Sequence, residues 1–314
     1  MKNIPNTVYR YRSFSASTVE MLCNDVLFFA NPVTFNDPFD CSPFVDVDSG
    51  TLRLQAILQQ LISTRVHGET IAALKSAKFD ENSATTHAMR IAQLDAARAL
   101  DYIQYHATNP DYDDPLQAEI NMLRNNIETE LQDRYGKGIC CFSEEHDNPL
   151  LWSHYGDQHR GICIGYSIDR IPIPDLKPVN YNGDRKISTS LIDAAIIQKH
   201  GVATATLDAK VLLQKAPEWS YEKEWRLISN VGLQDSPLRL TEVTFGLRCP
   251  DAVRHTLVQA LNRRSVQVEF YEMGNTWGTF QLERCPLDIE RTCFLPRTAI
   301  SGEEAFGSTN AVNL

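Results

Sequence analysis

Residues 137–166 read KGICCFSEEHDNPLLWSHYGDQHRGICIGY, and the alternation within them sets the fold class. GICCFS and GICIGYSI are short apolar runs with the length and composition of buried strands. Between them a polar turn leads into PLLWSHY, which suits one or two turns of helix. Toward the N-terminus, VYRYRSF (8–14) alternates like a strand. SASTVEMLCND (15–25) reads as a short helix capped by Ser15 or Ser17, with Glu20 completing a capping box to Ser17. VLFFANP (26–32) is a further strand, and TFNDPFDCSPF (34–44) is a loop, because Pro38 cannot continue a central strand.

From about Leu52 to Arg134 the apolar period becomes helical. Breaks fall at KFDENSA (78–84) and NPDYDDP (109–115). After the quoted stretch comes a Pro-rich loop (171–183), then helical runs at 188–201 and 205–216. EWSYEKEWRLIS (218–229) passes from turn to strand. LTEVTFGL (240–247), VQVEFYEM (266–273) and TFQLERC (279–285) are strands, with a helix at 250–264 that has Pro250 near its first turn. The expectation is an α+β chain with two small, twisted, mostly antiparallel sheets and an inserted helical subdomain. Residues 1–50 and 136–296 form the core domain, 51–135 a helical insertion, and 297–314 a flexible tail.

The net charge of −10 argues against indiscriminate binding to nucleic acid or anionic membranes. Eight cysteines, none in a C-x-x-C pair, read as buried thiols of a reducing compartment. The N-terminal residues lack the apolar run of a signal peptide, and no stretch is long enough to span a membrane. The expected location is the cytoplasm.

Four segments carry candidate chemistry. In WSYEKEWRL (219–227), Glu222 and Glu224 project to one side of an extended chain where a polar turn becomes an apolar strand. A carboxylate there can hold a sugar hydroxyl and stabilise positive charge as a glycosidic bond breaks. The structural alternative is a set of surface ion pairs among Glu222, Lys223, Glu224 and Arg226. In the quoted stretch, Ser143 can orient Glu224 or line a pocket, Trp152 and Tyr155 can stack on a flat ring, and His154 can bond a ribose or phosphate. Equally, Ser143 suits a cap, Trp152 the core, and His154 a structural role. Arg10 and Arg12 share one face of the first strand and can grip a phosphate, or lie solvated on an edge. In FNDPFD (35–40), Asn36, Asp37 and Asp40 offer oxygen ligands to a metal, or build a rigid turn. There is no Walker loop, dinucleotide-binding glycine fingerprint, nucleophile elbow or zinc-protease helix, so no metal site is assigned.

YRYRSF, LFFANPVTFNDPFD, the quoted stretch from GICCF onward and WSYEKEWRLI together resemble a bacterial family described as domain of unknown function 2971. The resemblance runs from near the N-terminus to about residue 228 and skips the helical insertion. The order of the pieces is also similar to the ADP-ribosyltransferase fold. That likeness implies Arg12 or Arg10 contacting a nicotinamide dinucleotide, with Ser143 on the following strand. It implies Glu224 on the nicotinamide ribose, Glu222 orienting an acceptor, and Trp152, His154 or Tyr155 beside the cofactor. Where that fold has a Ser-Thr-Ser run, this sequence has Cys141-Phe142-Ser143-Glu144-Glu145, which matches one serine. The implied function is NAD consumption, by ADP-ribosyl transfer to a protein or nucleic-acid acceptor or by hydrolysis, as in a toxin or an anti-phage effector. The competing expectations are a non-catalytic sensor whose helical insertion binds a protein partner, and a metal-dependent phosphohydrolase or nuclease built on Asp37, Asp40, His154 and Asp157.

Overall fold

The structure, a computed structural model, describes residues 4–292 and 299–306. The expected tail from 297 to 314 therefore lies partly outside the described residues. In chain order the elements are β1 (Thr7–Arg12), α1 (Ala16–Asn24), β2 (Val26–Phe29), β3 (Phe44–Asp46), α2 (Thr51–Ser76), α3 (Glu81–Ala107), α4 (Pro115–Arg134), β4 (Gly138–Ser143), α5 (Pro149–His154), β5 (Ile162–Ser167), β6 (Lys177–Pro178), β7 (Lys186–Ser188), α6 (Thr189–Ile196), α7 (Gly201–Leu212), β8 (Glu224–Ser229), β9 (Gly232–Asp235), β10 (Arg239–Phe245), α8 (Asp251–Leu261), β11 (Glu269–Asn275) and β12 (Leu282–Pro286). Two short helices, α9 (Ile289–Thr292) and α10 (Gly302–Phe306), follow. The chain is α+β, with both parallel and antiparallel strand pairs.

The chain divides into two compact units. Leu27–Cys141 and Asp175–Gln234 build most of the first; Pro5–Val26, Phe142–Pro174 and Asp235–Leu314 build the second.

In the first unit, capping side chains fix where the helices start. Asp80 accepts from the Ser83 N–H at the head of α3. Asp114 accepts from the Leu116 and Gln117 N–H groups at the head of α4, with Pro115 in the first turn. Ala84, Ala88, Ala92 and Ala96 recur at four-residue spacing along α3, and all are buried. Small side chains on one stripe let α3 lie close along α2. The apolar core runs from Leu54, Ile57 and Leu58 of α2 through Leu123, Ile127 and Leu131 of α4 to Ile192 of α6 and Leu207 of α7. It also takes in Val45 of β3, Ile187 of β7 and Ile139 of β4. The three long helices of the expected helical insertion therefore share one core with α6, α7 and the strands. An apolar period shows that a face is buried, but not against what.

In the second unit, β1 and β10 both run antiparallel to β5, β11 runs parallel to β10, and β12 runs antiparallel to β11. The end of β4 joins at Ser143, opposite Tyr9. The parallel pair follows from α8, whose length carries the chain back across between β10 and β11. Ser15 is the cap of α1, accepting from the Thr18 N–H. Asn148 caps α5.

After α5 the backbone of Asp157, Gln158 and His159 is left-handed at three successive residues, with φ of 49°, 53° and 70°. This is costly for side chains with a Cβ and persists only where neighbours hold it. The His159 N–H donates to the Trp152 carbonyl, the Arg160 N–H to the Asp157 carbonyl, and the Arg248 N–H to the His159 carbonyl. Gly161 and Gly246 sit so close to this loop and to β1 that a Cβ on either would meet a backbone oxygen at 2.2–2.3 Å.

Candidate functional site

The densest set of charged groups in the first unit is buried. The turn Pro217–Glu222 ends at Lys223, which is left-handed at φ 44°, and β8 begins at Glu224. The chain between the two glutamates is therefore not extended, as the sequence suggested. Both carboxylates nonetheless reach one ammonium: Lys215 Nζ lies 2.5 Å from Glu222 and 2.9 Å from Glu224. Arg226, fully buried, donates Nε to Glu224 Oε1 at 2.7 Å and Nη2 to both oxygens of Asp40 at 2.9 and 2.7 Å. Its Nη1 donates to the Leu212 carbonyl at 2.7 Å and to Cys41 Sγ at 3.1 Å. Lys215 Nζ also lies 3.7 Å from Asp40. Tyr181 accepts the Glu224 backbone N–H through its hydroxyl at 2.9 Å.

A buried charge persists when partners replace its lost hydration. Burial pushes the Glu224 carboxyl up, but Arg226 and Lys215 outweigh it and hold its pKa low, at about 2. For Lys215 burial works downward, and Glu224, Glu222 and Asp40 more than reverse it, so the ammonium is held above its ordinary value. The Cys41 thiol is pushed up to about 12, chiefly by burial, and burial likewise raises Cys141. Both are therefore protonated, unreactive thiols at neutral pH. Among the described residues no two cysteines form a disulfide.

These shifts predict a pH profile. Glu224, with its folded pKa depressed, contributes stability that is full above its ordinary 4.5 and lost as the pH falls toward about 2. Lys215, with its folded pKa raised, contributes stability that is full below its ordinary 10.5 and lost above it. Urea midpoints measured against pH should fall at both ends, and Glu224→Gln should flatten the acid limb relative to the basic one.

Beside the cluster lies a cleft of about 270 Å³, lined by residues that include Asn31, Phe35, Asp37, Asp40, Cys41 and Tyr135. Asp37 shapes its wall. One oxygen accepts from the Phe39 N–H at 2.8 Å, which makes the rigid turn, and the other accepts from Trp219 Nε1 at 2.8 Å. Asp40, Glu222 and Glu224 thus set three carboxylates against Lys215 and Arg226, and Asp37 adds a fourth to the cleft wall with Trp219 as its partner. Arg185 stands near the rim, donating to the Ser42 carbonyl and lying over the Phe39 ring, but it is exposed and screened by solvent.

The other expected site residues lie in the second unit. Arg10 sits over the Phe142 ring at 5.9 Å, and Arg12 ends β1 opposite Ile162. Ser143 is buried, and its Oγ accepts the Glu145 N–H at 3.0 Å. Trp152 is wholly enclosed: its Nε1 donates to the His146 carbonyl at 2.9 Å, and its rings meet Tyr11 edge-on and His159 face-on. His154 is exposed at the end of α5, and Tyr155 beside it is half-buried. Among the described residues, no group of three or more His, Cys, Asp or Glu side chains is placed to hold a metal ion, and no helix is long and apolar enough to cross a membrane.

Sequence reasoning singled out Glu222 and Glu224 and weighed Asp40 and Arg226, but it missed Lys215. That residue closes an apolar helical run, VLLQKAP, where a lysine ordinarily signals a solvated end. Nothing local shows that it turns inward.

The comparisons with known proteins bear on these same elements. No curated protein and no solved structure matches the chain. The family model described as "Protein of unknown function (DUF2971)" matches residues 151–227. The matched segment runs from α5 into β8 and carries Trp152, Lys215, Glu222, Glu224 and Arg226, so over that span the chain is similar to this family.

Proposed function

We propose that the chain consumes NAD, with the cleft beside Asp37 and Asp40 receiving the cationic nicotinamide end. The observation that carries this reading is the excess of carboxylates over cations behind the cleft wall. In a desolvated wall such charge acts at short range with little screening. It favours a positively charged ring, and it favours the oxocarbenium-like centre that develops as the ring leaves. Asp37 and Asp40 face the ligand, while Glu224 sets the field from behind as a positioning residue. The resemblance to the ADP-ribosyltransferase order of elements motivates NAD as the substrate, and this reading gives to Asp37 and Asp40 the place at the ligand that the resemblance implied for Glu224.

The test is nicotinamide release from NAD by the purified chain, with and without cell lysate as acceptor. Release by the wild type, reduced about 100-fold or more in Asp37→Asn, is the expected result. No release from the wild type under either condition overturns the proposal.

A second reading rests on the commitment of Glu224, whose carboxylate is taken up by Arg226 and Lys215 and is only 4 % exposed. A carboxylate so occupied suits a non-catalytic module whose cleft binds a lysine or arginine side chain. Saturable binding of a basic peptide, lost in Asp37→Asn and unaccompanied by NAD turnover, would favour this reading over the first.

A further inference from the structure

A different polar array lies on one face of the second unit's strands. Tyr9 of β1, Gly165 of β5 and Glu242 of β10 stand in register across three strands and so project to the same side. Gly165 is there for space, since a Cβ would lie 2.3 Å from Cγ of Glu242. Its absence lets the Glu242 side chain lie flat across β5. The carboxylate accepts from Arg284 Nη1 at 2.6 Å, and the Arg284 guanidinium rests over the Tyr271 ring at 4.2 Å. Glu242 also faces the Tyr9 phenol, which burial and then this carboxylate push up to about 12. The His146 ring meets Tyr9 edge-on at 5.1 Å, and its Nδ1 is buried with no hydrogen-bond partner among the described residues. The Arg284 and Glu242 side chains keep 21 % and 12 % of their surface exposed, so the array is a mostly covered shelf whose edge reaches solvent.

We propose that this shelf binds a nucleobase. Three features select that class. The Glu242–Arg284 pair has no net charge, so it suits an uncharged ring better than an ion. It sets an acceptor beside a donor, complementary to a base edge that carries an N–H next to a carbonyl or ring nitrogen. Tyr9, Tyr271 and the guanidinium supply flat surfaces against which a heterocycle stacks. A purely structural ion pair requires neither the glycine notch nor flanking rings. The residues of this shelf all belong to the second unit.

The same base edge is offered by a free nucleoside and by a single strand, and calorimetric titration of the full chain separates the two. The probes are adenosine, cytidine, guanosine and uridine, beside a short unstructured oligonucleotide. At least one nucleoside is expected to bind saturably in the millimolar range or tighter, and Glu242→Gln and Arg284→Met are each expected to weaken it about tenfold or more. Tighter binding of the oligonucleotide, lost as salt is raised, assigns the base to a strand, and equal binding assigns it to a free nucleoside. If either variant fails to fold, Tyr271→Ala, which removes a half-buried ring, tests the stacking instead. Absence of binding by every probe, or binding unchanged in folded variants, overturns the proposal.

Discussion

Replacing Arg226 by Met is expected to destabilise the protein by about 3–5 kcal/mol, enough to unfold the first unit or bring it close to unfolding. The cost comes from what the guanidinium leaves behind. Asp40 and Glu224 stay buried, and Lys215 alone cannot serve both of them and Glu222. The Leu212 carbonyl also loses its donor. Methionine fills much of the same space, so a lost cavity is a minor part of the effect. Denaturant midpoints measure it. Neutralising the stranded carboxylates as well, in Arg226→Met with Asp40→Asn and Glu224→Gln, should recover a substantial part of the loss. If the single variant shifts the midpoint by less than about 1 kcal/mol equivalent, the pair contributes no more than a surface bridge does.

Leu123→Ala is expected to cost about 2–5 kcal/mol, the range for truncating a fully buried leucine in a packed core. The same variant tests how the long helices belong to the fold. Leu123 of α4 shares its apolar cluster with Ile192 of α6 and Leu207 of α7. Hydrogen exchange should therefore show protection falling in α6 and α7 as well as in α2 to α4. A loss confined to residues 51–135 would instead show a helical segment that folds by itself.

How much of this was legible in the sequence depended on the range of the interaction. The three long helices were, because their apolar period and their breaks at 78–84 and 109–115 are local; that Asp80 and Asp114 cap two of them came from the structure. The strands around 137–166 were legible for the same reason. Of the two serines offered as caps for the first helix, Ser15 takes the role. The parallel pairing of β10 and β11 was present in the strand–helix–strand order at 240–273, but register and sense need three dimensions. The ionic cluster was least legible. Arg226 and Asp40 are 186 residues apart, and an arginine two places after a glutamate looks the same whether the strand is covered or bare. Lys215 gave no signal, because its inward turn is decided by the carboxylates it meets.

The left-handed stretch Asp157–His159 has a consequence for how this chain can vary. Its last residue is clamped on both sides, the His159 N–H by the Trp152 carbonyl and the His159 carbonyl by the Arg248 amide, and Gly161 and Gly246 admit the adjoining backbone without clearance. A residue added or removed there would pull the His159 carbonyl away from the Arg248 amide and drive Gly161 against β1. Loops are ordinarily where chain length drifts freely. Here the loop is a ruler whose length is fixed, and tolerance of insertions has to be sought elsewhere.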